Sequence, residues 1–308
     1  MAYRPLWGGL GPAHASPMSV ILPAIIPVFL MAALGFALAK TGRAMEGGTT
    51  AFLVATVGTP ALVFSNLATT PFSEGTLVSL ASATVLAIGF YLLVGSLTLK
   101  ASGLSLRTYL PSLAFPNSGN LGLPLALYAA GQQGLNDAII IFSVTSIANM
   151  TIGQLVAAGR GEWRRAIRSP IIPAVALGIA CAYLGVTLPL WATNTLSLLS
   201  SLTIPLMLLM LGTSLARIRV TGVPRAVALS VLRISMGVAA GFFLASLFGF
   251  TGAERIAFVL QCAMPVAVYN YLFAQMYNND PEDVASLVVT STVLAVITTP
   301  LLLAVLVS

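Results

Sequence analysis

Ten residues combine proline, glycine, amide and hydroxyl groups where apolar side chains would be expected: Phe115-Pro116-Asn117-Ser118-Gly119-Asn120-Leu121-Gly122-Leu123-Pro124. The surrounding segment, 107–130, is apolar and exceeds the about 20 residues a helix needs to cross a bilayer. Backbone in lipid has no partner but itself, so a continuous helix is the default there. Pro116 withholds a donor and its ring meets the carbonyl of Ser112, so the helix must break or kink. Asn117 and Asn120 then bring amides to mid-membrane depth, where unpaired polar groups are costly. Pro124 suits the first turn of a resumed helix. The chemistry open to such a stretch is noncovalent. An interrupted helix presents a free amide end, positive by roughly half a charge, that can hold an anion. On this stretch alone, a simple proline kink whose amides satisfy the freed carbonyls fits equally well.

A second interruption lies in Gln261-Cys262-Ala263-Met264-Pro265-Val266-Ala267-Val268-Tyr269-Asn270, where Pro265 meets the carbonyl of Gln261 as Pro116 meets that of Ser112. The candidate site residues are Pro116, Asn117, Ser118, Gly119 and Asn120 from the first break and Met264, Pro265, Val266 and Ala267 from the second. Asn149 is added as a lining residue. If the breaks cross, Gly119, Gly122, Ala263 and Ala267 allow close backbone approach. Two amide ends aimed at one point make an anion site without any arginine, suited to a carboxylate.

The elements that must position these residues are membrane spans. The 308 residues are 58% hydrophobic and 7% charged, with mean hydropathy +0.98, whereas a soluble domain carries about a quarter charged residues. This is a polytopic membrane protein. Its net charge of +6 sets topology and does not imply nucleic acid. Spans are expected at 19–39, 48–68, 76–99, 107–130, 137–158, 170–189, 193–214, 224–249, 254–277 and 283–307. A polar leader, 1–18, containing the lone His14, precedes them. Eleven of the 14 Lys and Arg, among them Lys40, Arg43, Lys100, Arg107, Arg160, Arg164, Arg165, Arg168, Arg217, Arg219 and Arg225, fall in the odd-numbered loops. Short basic loops stay cytoplasmic, which puts both termini outside a plasma membrane. Cys181 and Cys262 fall inside spans, so no disulfide framework is expected.

The two halves repeat. Pro27 and Pro173 lie 146 residues apart, Pro60 and Pro205 145, and Pro116 and Pro265 149. A first repeat over 19–158, a short linker at 159–169 and a second repeat over 170–308 each carry five spans. An odd number inverts the second repeat in the membrane, the arrangement of secondary transporters. The fold class is therefore an all-α membrane protein: ten transmembrane helices in two inverted five-helix repeats, with broken helices four and nine crossing.

Other polar residues within spans are Asn66, Asn149, Gln154, Gln261, Asn270, Gln275 and Ser291, any of which can join helices. Arg233 is expected to snorkel to the cytoplasmic surface. Asp137 is expected to begin span five as a solvated acid. Tyr269, Tyr271 and Tyr277 read as packing or interfacial aromatics. There is no histidine within the spans and no paired acids, so neither an enzyme nor a bound cofactor or metal is expected.

The stretch Phe115 to Leu125, with Met264-Pro265-Val266-Ala267, Phe273-Ala274, Tyr277-Asn278 and the ending Thr290-Ser291-Thr292 through Thr299-Pro300, resembles the auxin efflux carrier family. That family includes plant PIN-type auxin carriers and bacterial carriers of malate, malonate and other organic anions, and is more distantly similar to bile-acid sodium symporters. The resemblance covers the chain from about residue 19. It implies a scaffold of spans one, two, six and seven and a mobile unit of spans three to five and eight to ten. Substrate would bind beside the crossing, the mobile unit would slide as an elevator, and two copies would pair through the scaffold. Asn117, Pro116 and Pro265 match the family's crossing positions. The long cytoplasmic loop of many plant members is missing. Sodium, proton and uncoupled transport all stay open. The expected function is secondary transport of a small organic anion; an anion or small-solute channel is the alternative.

Overall fold

The computed structural model describes residues 17–42, 47–69, 74–159, 170–217 and 222–307. The leader with Arg4 and His14, the basic residues Arg43 and Arg219, and the linker arginines Arg160, Arg164, Arg165 and Arg168 lie outside the described residues. Among the described residues the chain is helical, with no β-strand. The helices are α1 (Pro17–Lys40), α2 (Gly47–Leu53), α3 (Thr59–Thr69), α4 (Glu74–Ala101), α5 (Leu106–Ala114), α6 (Leu123–Ala148), α7 (Gln154–Ala158), α8 (Ile171–Tyr183), α9 (Leu190–Arg217), α10 (Val223–Leu247), α11 (Gly252–Ala263), α12 (Val268–Tyr277) and α13 (Pro281–Val307). Three π-helical turns, Val54–Gly58, Ser118–Gly122 and Asn149–Gly153, join α2 to α3, lead into α6, and join α6 to α7.

Five stretches are long and apolar enough to cross a membrane: Gly75–Ala101, Ser118–Ala158, Leu190–Ala216, Val223–Leu247 and Pro281–Leu306. Shorter apolar helices run Ile26–Lys40, Val54–Thr69 and Ile171–Tyr183. Many large apolar side chains on these helices are exposed, including Leu93, Leu177, Trp191, Leu198, Phe243 and Ile297. Such a surface suits a lipid solvent. The helices around Pro116 and Pro265 are each broken near the proline, and the 41-residue stretch Ser118–Ala158 is itself turned at Gly131.

Two packing groups hold the site. In the first, α1 crosses α9 and α3 packs on α8. The α1–α9 contact is backbone to backbone: a Cβ on Gly212 would stand 1.8 Å from the Ala32 carbonyl oxygen. In the second, α4, α5, α6, α10, α11 and α13 surround a core in which Leu113, Phe115, Leu121, Leu123, Leu125 and Phe258 have no exposed surface. Both α4 and α10 end on a left-handed glycine. Leu104 N–H bonds the Leu99 carbonyl past Gly103 (φ 67°), and Phe250 N–H bonds the Ala245 carbonyl past Gly249 (φ 71°). These six-to-one bonds satisfy carbonyls the helix ends would otherwise leave free. Ser105 then caps α5 by accepting from Thr108 N–H.

Four expectations are corrected. The turn between spans four and five is not a loop over 131–136: Gly131 (φ 65°, ψ −160°) makes it alone, and the helix resumes beside it. Asp137 is therefore already inside the helix, with no exposed surface, and its Oδ1 accepts from Gln133 Nε2 at 3.1 Å. It is not a solvated terminal acid. Arg233 does not snorkel: it is fully buried, donating from Nη2 to the Cys262 carbonyl at 2.8 Å. The close approach expected at Gly119 and Gly122 is to side chains: their Cβ positions fall against Phe142 of α6 and Gln261 of α11.

Candidate functional site

The site begins with a donor that proline lacks. With no N–H at Pro116, α5 ends at Ala114, and Phe115 continues in extended conformation (φ −115°, ψ 107°). Asn117 (φ −76°, ψ 58°) turns the chain, its two neighbours closing a tight turn from Ser118 N–H to the Pro116 carbonyl at 2.8 Å. Helix restarts at Ser118. On the other strand, α11 ends at Ala263, Met264 and Ala267 are extended, and α12 starts at Val268.

The two extended pieces run antiparallel and pair. Asn117 N–H donates to the Pro265 carbonyl at 2.7 Å, and Ala267 N–H to the Phe115 carbonyl at 3.4 Å, giving an isolated bridge between Pro116 and Val266. Side chains complete it. Asn270 Nδ2 donates to the Phe115 carbonyl at 3.1 Å, and the Ser291 hydroxyl of α13 accepts from Val266 N–H at 3.0 Å. The N–H groups of Asn117, Val266 and Ala267 in the two unwound pieces are thus paired inside the protein, as unwound chain at such depth requires.

Beside this crossing lies a cavity of about 790 Å³. The crossing contributes Pro116, Asn117, Ser118, Gly119, Asn120, Ala267 and Val268. Phe142, Thr145, Asn149, Met150 and Gln154 form a second wall. The facing wall comes from the other packing group, with Val54, Ala55, Thr56 and Thr59, then Met207, Met210, Thr213 and Ser214, and Pro170 and Ile171. Every π turn reaches this cavity, a placement common for such turns at functional sites. Among the described residues, none that lines it is charged.

Two helix N-termini open on this space, that of the helix restarting at Ser118 and that of α12. Amides in the first turn of a helix have no partner within it. No side chain caps either N-terminus. Asn117 Nδ2 and Asn149 Oδ1 are buried, lack a hydrogen-bond partner and belong to lining residues. The arrangement offers partial positive charge and neutral donors within walls that are mostly apolar.

Of the residues singled out in the sequence, Pro116, Asn117, Ser118, Gly119, Asn120, Asn149 and Ala267 line the cavity. Met264, Pro265 and Val266 are buried and do not line it. Tyr269 and Tyr271 join the wall, and Gln154 Nε2 reaches the Tyr277 hydroxyl at 2.8 Å. Asn270 and Ser291, which fasten the crossing, had no local mark beyond being polar within apolar spans. Cys181 and Cys262 are free thiols.

Residues 20–162 and 155–303 match a family described as membrane transport protein. Over 181 residues the chain is 29% identical to an uncharacterized transporter of Methanocaldococcus jannaschii, covering 55% of this chain and 58% of the relative. Over 195 residues it is 29% identical to an uncharacterized transporter of Methanothermobacter thermautotrophicus, covering 61% and 64%. The chain spans less than two thirds of the length of either relative.

Proposed function

We propose that this chain, which belongs to the membrane transport protein family, is a secondary carrier of a small organic anion that binds at the crossing of two interrupted helices. The observation that carries the proposal is the convergence of two uncapped helix N-termini on one cavity that Asn117, with its unpartnered amide, lines and that has no charged residue among those described. Helix dipoles and backbone donors favour a carboxylate there. With no cation among the described lining residues, that attraction selects the anionic end, while Phe52, Phe142, Met207, Met210 and Leu272 receive the rest of the solute.

Several features support two inverted five-helix repeats. The matched stretches meet at 155–162, the junction of the halves. The glycine endings of α4 and α10, at Gly103 and Gly249, occupy corresponding places, as do the interruptions at Pro116 and Pro265. Lys40, Lys100, Arg107 and Arg225 flank the helix ends on one side, which we assign to the cytoplasm. Beyond the crossing, the cavity wall is built from the parts of α2, α7, α8, α9 and α12 that run toward that side. The state is then inward-facing. On the other side, α6 packs against α1, α3 and α8, and Gln132 Nε2 meets Asn66 Oδ1 at 3.5 Å. Closure on one face favours a carrier over a channel. In the proposed elevator, the group holding the crossing slides against α1, α3, α8 and α9, which also offer an apolar face for a second copy.

The test is a thermal-shift screen of mono- and dicarboxylates on purified protein, then uptake of the best binder into proteoliposomes. Saturable uptake with counterflow is expected, and Asn117→Ala should cut uptake at sub-saturating substrate about tenfold or more while inserting normally. Wild-type uptake by that variant would remove the site, and unitary current steps would replace the carrier with a channel.

A further inference from the structure

Arg233 lies within α10 and has no exposed surface. A guanidinium held away from water is strongly destabilising unless other charges and dipoles compensate it. Among the described residues the ion pair is Arg225–Asp283; Arg233 has no carboxylate partner. Its guanidinium instead lies 4.4 Å from the centre of the Tyr91 ring, an attraction of the cation–π kind. Its Nη2 donates to the Cys262 carbonyl at 2.8 Å. Nε and Nη1 are buried without hydrogen-bond partners.

Cys262 occupies the last turn of α11, at the crossing. The carbonyls there have no partners further along the helix and carry roughly half a negative charge together. Gly237, one turn beyond Arg233, lets the two helices close up: a Cβ there would stand 2.1 Å from the Cys262 carbonyl oxygen. The other helix end at the crossing, that of α5, is handled by neutral groups, with Ala267 N–H and the Asn270 amide on the Phe115 carbonyl. One end therefore receives dipoles and the other a full charge. In transporters with interrupted helices, the C-terminal ends of half-helices are where a dissolved cation is bound.

We propose that Arg233 is a positioning residue acting as a tethered cation: it neutralises the C-terminal end of α11 and fills the electrostatic place that a dissolved sodium or potassium ion would take there. The clause concerning the dissolved ion rests on the carrier reading; the neutralising role does not. Positioning the crossing through α11 is what connects Arg233 to the cavity, which it does not line.

The test uses purified full-length protein and no carboxylate, so that it stands or falls apart from the anion reading. Thermal midpoints are measured in sodium chloride and in choline chloride at equal ionic strength, with and without low-millimolar guanidinium chloride. Wild type should show the same midpoint in both salts and no gain from guanidinium. Arg233→Met, which keeps the length of the stem, and Arg233→Ala should each fall by about 5 °C or more, as expected when half-helix carbonyls lose a buried cation. Guanidinium should restore at least half of the loss in Arg233→Ala, and Arg233→Lys should stay nearer to wild type than Arg233→Met. A wild-type midpoint for Arg233→Met, failure of guanidinium to restore Arg233→Ala, or a wild type stabilised by sodium over choline would each overturn the proposal. Should both neutral variants fail to fold, the wild-type comparison of the two salts and the Arg233→Lys midpoint decide it.

Discussion

Asn117 does two jobs with different atoms. Its backbone N–H closes the crossing on the Pro265 carbonyl, while its side-chain Nδ2 is buried without a partner in a residue that lines the cavity. Substitution of the side chain should therefore spare the fold and weaken the ligand. A hydrogen bond to a charged group contributes about 1.5–3 kcal/mol, so Asn117→Ala should weaken carboxylate binding by about tenfold or more, read as a shift in the concentration that gives half of the thermal-shift effect. The midpoint of the unliganded protein should barely move. Unchanged affinity would mean that the amide does not touch the ligand. Gly122 is the opposite case. A Cβ there would stand 2.4 Å from Gln261 Oε1, and both polar atoms of Gln261 are already buried without partners. Gly122→Ala should therefore lower the midpoint by pushing aside a crowded amide, with an apparent cost of about 1–3 kcal/mol in denaturant or heat titration. The same substitution at Gly89, where a Cβ meets nothing within 4 Å, should be close to silent.

At the scale of elements, the crossing depends on pieces that are far apart in sequence. Ser291 of α13 accepts the Val266 N–H; Ser291→Ala would leave that buried donor unpaired, at about 1–3 kcal/mol. The thermal midpoint should fall, and amide exchange at Val266 should speed up, whereas the neighbouring turn of α13 stays protected. Equal protection at Val266 in the variant would show another acceptor taking over. The breaks themselves were legible in the sequence because proline removes a donor wherever it stands; Pro116 and Pro265 end α5 and α11 within two residues of themselves. Asn117 and Asn149 were legible as amides in apolar surroundings. The π turns at Val54–Gly58 and Asn149–Gly153 were not, since neither contains proline and an extra residue in a helical turn leaves no fixed pattern in side-chain type. The burial of Arg233 was equally hidden. Its partners, Tyr91 and the Cys262 carbonyl, belong to other helices, and snorkelling is the sound default for an arginine considered on its own helix. Asp137 was misplaced because a single glycine turn is shorter than any loop a hydropathy profile can resolve.

The whole molecule is divided by its cavity: one packing group carries the crossing, and the facing wall belongs to the other. An elevator requires these groups to part on the outer side whenever the site turns outward. The contact that must then separate includes Asn66 of α3 and Gln132 of α6, whose side-chain amides stand 3.5 Å apart. Asn66 is also tied to its own helix through the Leu62 carbonyl, and Gln132 to Asn136, so each half of the contact is held by the group it belongs to. A disulfide between Asn66→Cys and Gln132→Cys, in a background lacking Cys181, should lock the arrangement seen here. Uptake should fall to the level of empty liposomes on oxidation and return on reduction, while carboxylate-induced thermal shifts persist, because the cavity stays open on the side of Thr213 and Ser214. Either single cysteine should transport with or without oxidant. Sustained uptake by the fully cross-linked pair would mean that the two groups do not part at this contact, and transport would then have to proceed by a path that leaves α3 and α6 together.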